Sequence, residues 1–172
     1  MSNAYERFVR GYLEATSYER RDGVPVEILD ELTSEEKVKA EAELIKRLSI
    51  QDDWATIGLG YMKSAKAAPE LYDLLPKASG SGKAEIATAL WKICGDEEML
   101  QIVLNLSHPS FSSRASPYHE FKQIKIIYCL AQFPQSEARA RLEELTNDKQ
   151  YLVSSNAKSA LVLRKTYYNI ST

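Results

Sequence analysis

The sequence predicts an all-α protein in which pairs of helices repeat along one domain. Three observations support this: apolar stripes at helical spacing, a small residue followed by leucine in four segments, and a second apolar helix after three of them. The four leucines are Leu59, Leu90, Leu130 and Leu161, at intervals of 31, 40 and 31 residues. Repeats of about 20–50 residues are typical of stacked helical arrays. We therefore expect about nine helices in a single domain spanning residues 1–172.

The N-terminal part, residues 1–52, is predicted to cap the array, and residues 53–172 are predicted to form the repeats. A first helix is expected at about 4–18. Thr33 and Glu36 then have the T-x-x-E spacing of a capping box, in which each side chain satisfies a free N–H at the start of a helix. The buried stripe of this second helix is predicted to comprise Val38, Ala42, Ile45 and Leu48.

Three residue types set the expected limits of the later helices. Pro69 is tolerated only in the first turn of a helix, so the helix around it is predicted to begin near Ala67. Asp96 follows Gly95 and suits the N-cap of the next second helix. Arg164 interrupts the fourth apolar stripe and is interpreted as a polar end of the array. The second helices are expected at about 67–78, 96–106 and 136–146.

The motif GSGK, which ends at Lys83, looks at first like part of a phosphate-binding loop. That loop requires G-x-x-x-x-G-K-[ST] between a strand and a helix. Here the first glycine position holds Lys77, and Ala84 stands where Ser or Thr is needed. The residues upstream have helical spacing rather than strand spacing. We therefore interpret Gly80–Gly82 as a linker between two helices.

Two segments carry a family pattern. "IGLGYMKSAKAAPELYDLL" includes Leu59 and Pro69, and "IATALWKICGDEEMLQIVLNL" includes Leu90 and the Gly95-Asp96 turn, whereas "SNAKSALVLRK" provides only a first helix. Over about 53–168 the chain resembles the HEAT-like repeat family, in particular its short repeats of the phycobilisome-lyase type. The resemblance implies a right-handed α-α superhelix, or solenoid, whose second helices line the concave side. It brings no catalytic motif with it.

Composition limits the classes of partner. The net charge of −2 offers no general attraction to nucleic acid or to an anionic membrane. Because the sequence has no long apolar run and no apolar signal-peptide core, we expect a cytoplasmic protein without a membrane partner. Cys94 and Cys129 have no spaced companions, so we expect no disulfide, no metal and no cofactor, and we interpret both as buried small residues.

The expected function is non-catalytic binding of another protein. By resemblance, small bacterial proteins of this type include immunity proteins that neutralise a toxin and adaptor modules. The alternative is a HEAT-like enzyme, such as an alkylpurine DNA glycosylase or a tetrapyrrole (phycobilin) lyase. A glycosylase requires a surplus of Lys and Arg to hold DNA, which this chain lacks. The oligomeric state is left open.

Three features are candidates for the partner surface. The Ser- and Pro-containing insertion 107–119 includes Arg114, Tyr118 and His119, although His108 and His119 lack the spacing of a metal or catalytic pair. The acidic stretch from Asp30 to Asp53 has eight acidic and four basic residues, and could steer a partner or be a solvated face. The repeat offsets also align two outward rows on the second helices: Glu70, Gln101 and Arg141, then Asp73, Leu104 and Glu144.

Overall fold

A computed structural model of the chain describes residues 2–16, 18–108 and 119–168, and these residues form helices joined by turns. The predicted all-α class is therefore confirmed. In the described part, no helix is both long and apolar enough to cross a membrane. The α-helices there are α1 (Asn3–Phe8, continued by a π-helical turn Val9–Leu13), α2 (Ser34–Lys46), α3 (Trp54–Tyr61), α4 (Ala68–Leu74), α5 (Gly80–Cys94), α6 (Glu98–Leu106), α7 (His119–Ala131), α8 (Ser136–Leu145) and α9 (Tyr151–Tyr168). Short 3₁₀-helices occupy Glu19–Asp22, Val26–Glu31 and Ala65–Ala67.

The helices pack in the order in which they follow one another along the chain. The first helices of the units form one continuous layer, because α3 packs on α5, α5 on α7, and α7 on α9. The second helices α4, α6 and α8 each pack on the first helix that follows them, and α6 also touches α8. This order is the one expected of stacked helix pairs, while the right-handed superhelix remains a prediction.

The repeated leucines form the centre of the core. Leu59, Leu90 and Leu130 are fully buried, and Leu161 in the terminal helix is partly buried. The two helices α3 and α5 approach closely at Gly60. A Cβ atom on Gly60 would lie 2.9 Å from the Cβ and 3.0 Å from the Cα of Ala89, so only glycine allows this spacing. The apolar stripes predicted for the first helices are thus confirmed as core positions.

Contacts between aromatic side chains join the N-terminal helix to the repeats. The hydroxyl of Tyr12 donates to the carbonyl of Trp54 at 2.6 Å, and the two rings meet edge-on at 5.4 Å. Gly58 leaves room for this contact, because a Cβ there would lie 2.4 Å from the Tyr12 hydroxyl oxygen. The first helix is shorter than expected, since the chain leaves the π-helical turn after Leu13 rather than at about residue 18.

The capping box of α2 is confirmed, and so are Ile45 and Leu48 of its predicted stripe, which pack against the core, whereas Val38 and Ala42 are exposed. The Thr33 hydroxyl accepts a hydrogen bond from the N–H of Glu36, and the Glu36 carboxylate accepts one from the N–H of Thr33. Val38, expected in the core, is 57% exposed, while Leu44 is 1% exposed. The reason is geometric: Leu44 packs beside Gly58, where a Cβ would be 3.1 Å from its Cδ1, so that contact fixes the rotation of α2. Ala40 and Leu44 form the buried face in place of the predicted Val38 and Ala42.

Two predicted turns are displaced. Gly80–Gly82 is not a linker but the first turn of α5, where the N–H groups have no helical partner in any case, so glycine is tolerated. The connection lies before it and ends at Ser79. At α6 the N-cap is Glu97 rather than Asp96, although the Asp96 carboxylate still accepts the N–H of Glu98 at 3.0 Å.

Cys94 and Arg164 differ in exposure from the sequence prediction, since Cys94 is exposed and Arg164 is buried. Cys94 is exposed, whereas Cys129 is buried as predicted. Arg164 is not a polar outer position, because only 3% of it is exposed. Its Nη2 donates to the carbonyls of Pro134 and Gln135 at 2.5 and 2.9 Å, so a long side chain fills the core position while this one nitrogen reaches the α7–α8 turn. Its Nε and Nη1 atoms are buried and have no hydrogen-bond partner in the described part of the chain.

Candidate functional site

Charged side chains from three successive first helices come together on one face. Asp53 stands just before α3, Glu85 and Lys92 lie on α5, and Lys125 lies on α7. The Asp53 carboxylate and the Lys125 ammonium group form an ion pair that joins the start of α3 to α7, across the intervening α5. Together with Gln132, which follows α7, we call these residues the charged cleft.

The cleft arises from one stripe of α5. Glu85, Thr88 and Lys92 are spaced i, i+3 and i+7, which places them along one side of a helix. The Thr88 hydroxyl donates to the carbonyl of Ala84 at 2.8 Å, so it needs no further partner. Between the helices lies a surface cavity of about 100 Å³, lined by Ile57, Gly60, Glu85, Thr88, Ala89, Lys92 and Gln132.

Glu85 is the most perturbed acidic group of the cleft. Burial raises its pKa to about 7, and the nearby Asp53 carboxylate adds to the effect, while Lys125 and Lys92 offset part of it. In the described part of the chain Glu85 forms no ion pair. Near neutral pH this carboxyl group is therefore present both as the acid and as the carboxylate, and it can donate or accept a hydrogen bond.

The other titratable groups of the cleft respond to the same environment. Burial lowers the pKa of Lys92, an effect that Glu85 partly offsets. Burial is the largest single effect on Lys125 and acts against its charged form, but the hydrogen bond to Asp53 and the nearby negative charges of Asp53 and Glu85 together outweigh it, and the pKa is raised. Burial raises the pKa of the Cys129 thiol, which is fully enclosed beneath Glu85 and Thr88. The thiol is thus a neutral neighbour rather than a nucleophile.

Replacing Glu85 with glutamine is expected to stabilise the fold at alkaline pH. Because the pKa of Glu85 is about 7 in the folded chain and near its ordinary value of 4.5 when unfolded, the folded state holds more protons between these values. Stability from this group is therefore complete below about pH 4.5 and declines as the pH rises through about 7.

Urea unfolding at pH 5 and pH 8 measures this effect. Glu85→Gln should gain stability over the parent at pH 8 and differ little at pH 5. The matched control is Glu14→Gln, at an exposed carboxylate, which should show no such pH-dependent gain. Equal effects of Glu85→Gln at both pH values would show that the carboxyl group ionises normally.

The predicted rows on the second helices are only partly outward. Glu70, Asp73 and Gln101 are exposed, whereas Leu104 is partly buried against the core. The expectation that Arg141 points outward is wrong, because its side chain is only 12% exposed. Its guanidinium group donates to the Ser107 carbonyl at 2.6 Å and hydroxyl at 2.9 Å, and to the exposed Glu144 at 2.7 Å. These contacts tie α8 to the end of α6.

The predicted insertion site is mostly not described. Arg114 and Tyr118 lie outside the described residues, and so does the side chain of His119, although its backbone begins α7. His108 is exposed at the end of α6. The role of the 107–119 segment therefore remains a prediction.

Most of the acidic stretch is used within the fold. Seven of its eight carboxylates have partners in the chain, and five of these partners are lysine or arginine side chains that offset the negative charge. The pairs are Asp30 with Tyr61, Glu31 with Arg7, Glu36 with Ser2, Glu41 with Ser64 and Lys66, Glu43 with Lys46, Asp52 with Arg20, and Asp53 with Lys125.

The sequence did contain a signal for the charged cleft. Glu85 and Lys125 are 40 residues apart, and so are Lys92 and Gln132, which is the interval between Leu90 and Leu130. Applying the repeat interval to polar positions, and not to leucines alone, would have placed these side chains at equivalent points of neighbouring helices.

A second groove lies at the N-terminal end, next to Trp54. It has a volume of about 370 Å³ and two acidic side chains, Glu19 and Glu27, at its edge. The Trp54 ring is already covered by the Arg20 guanidinium group at 4.7 Å, and Arg20 pairs with Asp52 at 2.7 Å. This groove therefore offers less free polar chemistry than the charged cleft.

In comparisons with protein-family models, curated proteins and solved structures, nothing matched the chain. The HEAT-like resemblance accordingly remains a prediction, and the function is inferred from the geometry alone.

Proposed function

We propose that the chain is a non-catalytic helical module that binds a partner protein through the charged cleft. The observation that carries the proposal is the environment of Glu85. A partly buried carboxyl group with no ion pair of its own in the described part of the chain costs stability, and it lies beside a surface cavity. Such groups are concentrated at functional sites, where binding rather than folding retains them.

The packing of the helices supports this surface over the second-helix rows. The first helices contact one another along the whole array, whereas α4 and α6 make no comparable contact. In a curved stack of helix pairs, the more closely spaced layer lies on the inner side, which would make the first helices the concave layer, the reverse of what the HEAT-like resemblance implies. The charged cleft is part of that layer, and concave surfaces are where helical arrays bind their partners.

The cavity also limits what the partner presents. Glu85 and Lys92 stand two helical turns apart and require a donor at one end and an acceptor at the other. A volume of about 100 Å³ admits only a small group. The carboxamide of an Asn or Gln side chain has this size and can either donate to the Glu85 carboxylate or accept from the Lys92 ammonium group. Around it, the Asp53–Lys125 pair provides opposite charges that select for orientation.

Affinity capture from the native host, with the chain immobilised, tests the proposal. The parent and the Gln101→Ala variant should retain the same partner protein, because Gln101 lies outside the cleft on α6. The double variant Glu85→Ala, Lys92→Ala should bind the purified partner at least about tenfold more weakly, a loss of roughly 1.4 kcal/mol. Binding of equal strength by all three proteins would refute the cleft as the contact surface. A toxin as partner would support an immunity protein, and a component of a larger assembly would support an adaptor.

A second candidate function is acid–base chemistry at the same cleft. The pKa of Glu85, about 7, is near the value at which a general acid or base is most effective. Native mass spectrometry distinguishes the two functions: a small molecule that is retained by the parent and released by Glu85→Gln would favour an enzyme. A partner protein without such a molecule favours the binding module.

A further inference from the structure

The outer face of α9 is an apolar surface that no described element covers. The helix packs on α7 and α8 through its buried residues Val153, Ala157, Ala160 and Arg164. On the other side, Tyr151 is 79% exposed, Val162 65% and Tyr167 60%. The described part of the chain has eleven exposed large apolar side chains, and five of them are on this helix: the three just named, Leu152 and Leu163. Clusters of this kind mark interaction surfaces, whereas scattered single residues do not.

The centre of this face is a row of hydroxyl residues between two pairs of apolar side chains. At 100° per residue, Ser155, Ser159 and Thr166 fall in the middle, with Tyr151 and Val162 on one side and Leu152 and Leu163 on the other. The Ser159 hydroxyl donates to the Ser155 carbonyl at 3.3 Å. It therefore stays satisfied when the surface is buried. Two apolar ridges around a row of small residues suit the ridges-into-grooves packing of helices.

The charge on this face has one sign. From Lys149 to the end of the chain there is no Asp or Glu. Lys149, Lys158 and Lys165 are exposed and form no ion pair with any described residue. Lys158 and Lys165 are seven residues apart and so lie on the same edge of the helix. The face is thus bordered by positive charges that nothing in the described part neutralises.

We propose that the outer face of α9 binds an acidic amphipathic helix of a partner protein. The unpaired lysines match glutamates or aspartates on such a helix, and the two ridges accept its apolar side. A second copy of α9 would bring like charges together. A membrane would place the hydroxyl residues of the central row in the deepest position, which disfavours it. The face shares no residue with the charged cleft, so this inference goes beyond the proposed function.

A synthetic acidic peptide tests the proposal with the full chain. The probe is a fluorescent three-heptad helix with leucines on one face and glutamates on the other. The control peptide has lysines in place of the glutamates. We expect the acidic peptide to bind and the basic one not to bind. Val162→Glu should weaken the complex at least about tenfold, and added salt should weaken it as well.

The control variant is Val38→Glu, which introduces the same change at a residue that is 57% exposed on α2. It should leave peptide binding unchanged, and circular dichroism should show both variants folded. Equal binding of the two peptides, no binding of either, or full binding by Val162→Glu would overturn the proposal. So would binding to phosphatidylserine vesicles alone, or dimerisation that Val162→Glu abolishes. The Glu85→Ala, Lys92→Ala variant should bind the peptide normally, so failure here leaves the cleft proposal intact.

Discussion

Replacing Leu90 with alanine is expected to lower the free energy of unfolding by about 2–5 kcal/mol. Leu90 is fully buried in the C-terminal half of α5, the helix that contacts α3, α4, α6 and α7. Truncation removes apolar contacts and leaves a cavity. The four surrounding helices hold one another in place, so they cannot move in to fill it. Urea denaturation followed by circular dichroism at 222 nm measures the loss.

The matched control is Val38→Ala on α2. Val38 is 57% exposed in the structure, although the sequence pattern places it in the core. A surface substitution of this kind should change stability by less than about 0.5 kcal/mol. A loss below about 1 kcal/mol for Leu90→Ala, or a similar large loss for Val38→Ala, would contradict the assignment of these two helix faces.

Gly60→Ala is expected to destabilise the protein by about 1–3 kcal/mol. Helix propensity alone predicts the opposite sign, because alanine is better than glycine in a helix by about 1 kcal/mol. The added Cβ would lie 2.9 Å from the Cβ of Ala89 and 3.0 Å from its Cα, which is backbone and cannot rotate away. The helices α3 and α5 would have to separate at the floor of the charged cleft.

Gly82→Ala is the control for this prediction. A Cβ on Gly82 would lie 3.7 Å from the Ile50 carbonyl oxygen, an ordinary contact, so the change should be neutral or slightly stabilising. Thermal and urea unfolding of both variants give the comparison. If Gly60→Ala proves as stable as the parent, the close approach of α3 and α5 is not a requirement of the fold.

The sequence predicts the helix pairs well because buried leucines obey the period of the repeat. Leu59, Leu90 and Leu130 recur in one stripe each, and all three are fully buried. The rotation of α2 could not be found in this way. It depends on a contact between Leu44 and the bare backbone of Gly58, and no pattern of hydrophobicity within α2 contains that information.

The charged cleft can be predicted only in part, because the 40-residue interval aligns Glu85 with Lys125 but does not bring Asp53 to Lys125. The Asp53–Lys125 pair joins residues 72 positions apart, and charged residues on a helix are usually solvated. Arg141 shows the reverse case. Its position in an outward row was predicted from helical spacing, but a long side chain can turn back, and its guanidinium group binds Ser107. Helix faces can be predicted from spacing, whereas the direction of long polar side chains depends on their neighbours.

Carboxyl-group labelling of the free chain and of its partner complex tests the proposed contact surface most directly. A carbodiimide and a small amine modify accessible carboxylates, and mass spectrometry quantifies each site. The account predicts that partner binding protects Glu85 and Asp53, while Glu70, Asp73 and Glu144 on the second helices react as in the free chain. Protection of those three residues with unchanged labelling of Glu85 and Asp53 would contradict it, and would place the partner on the opposite layer of helices.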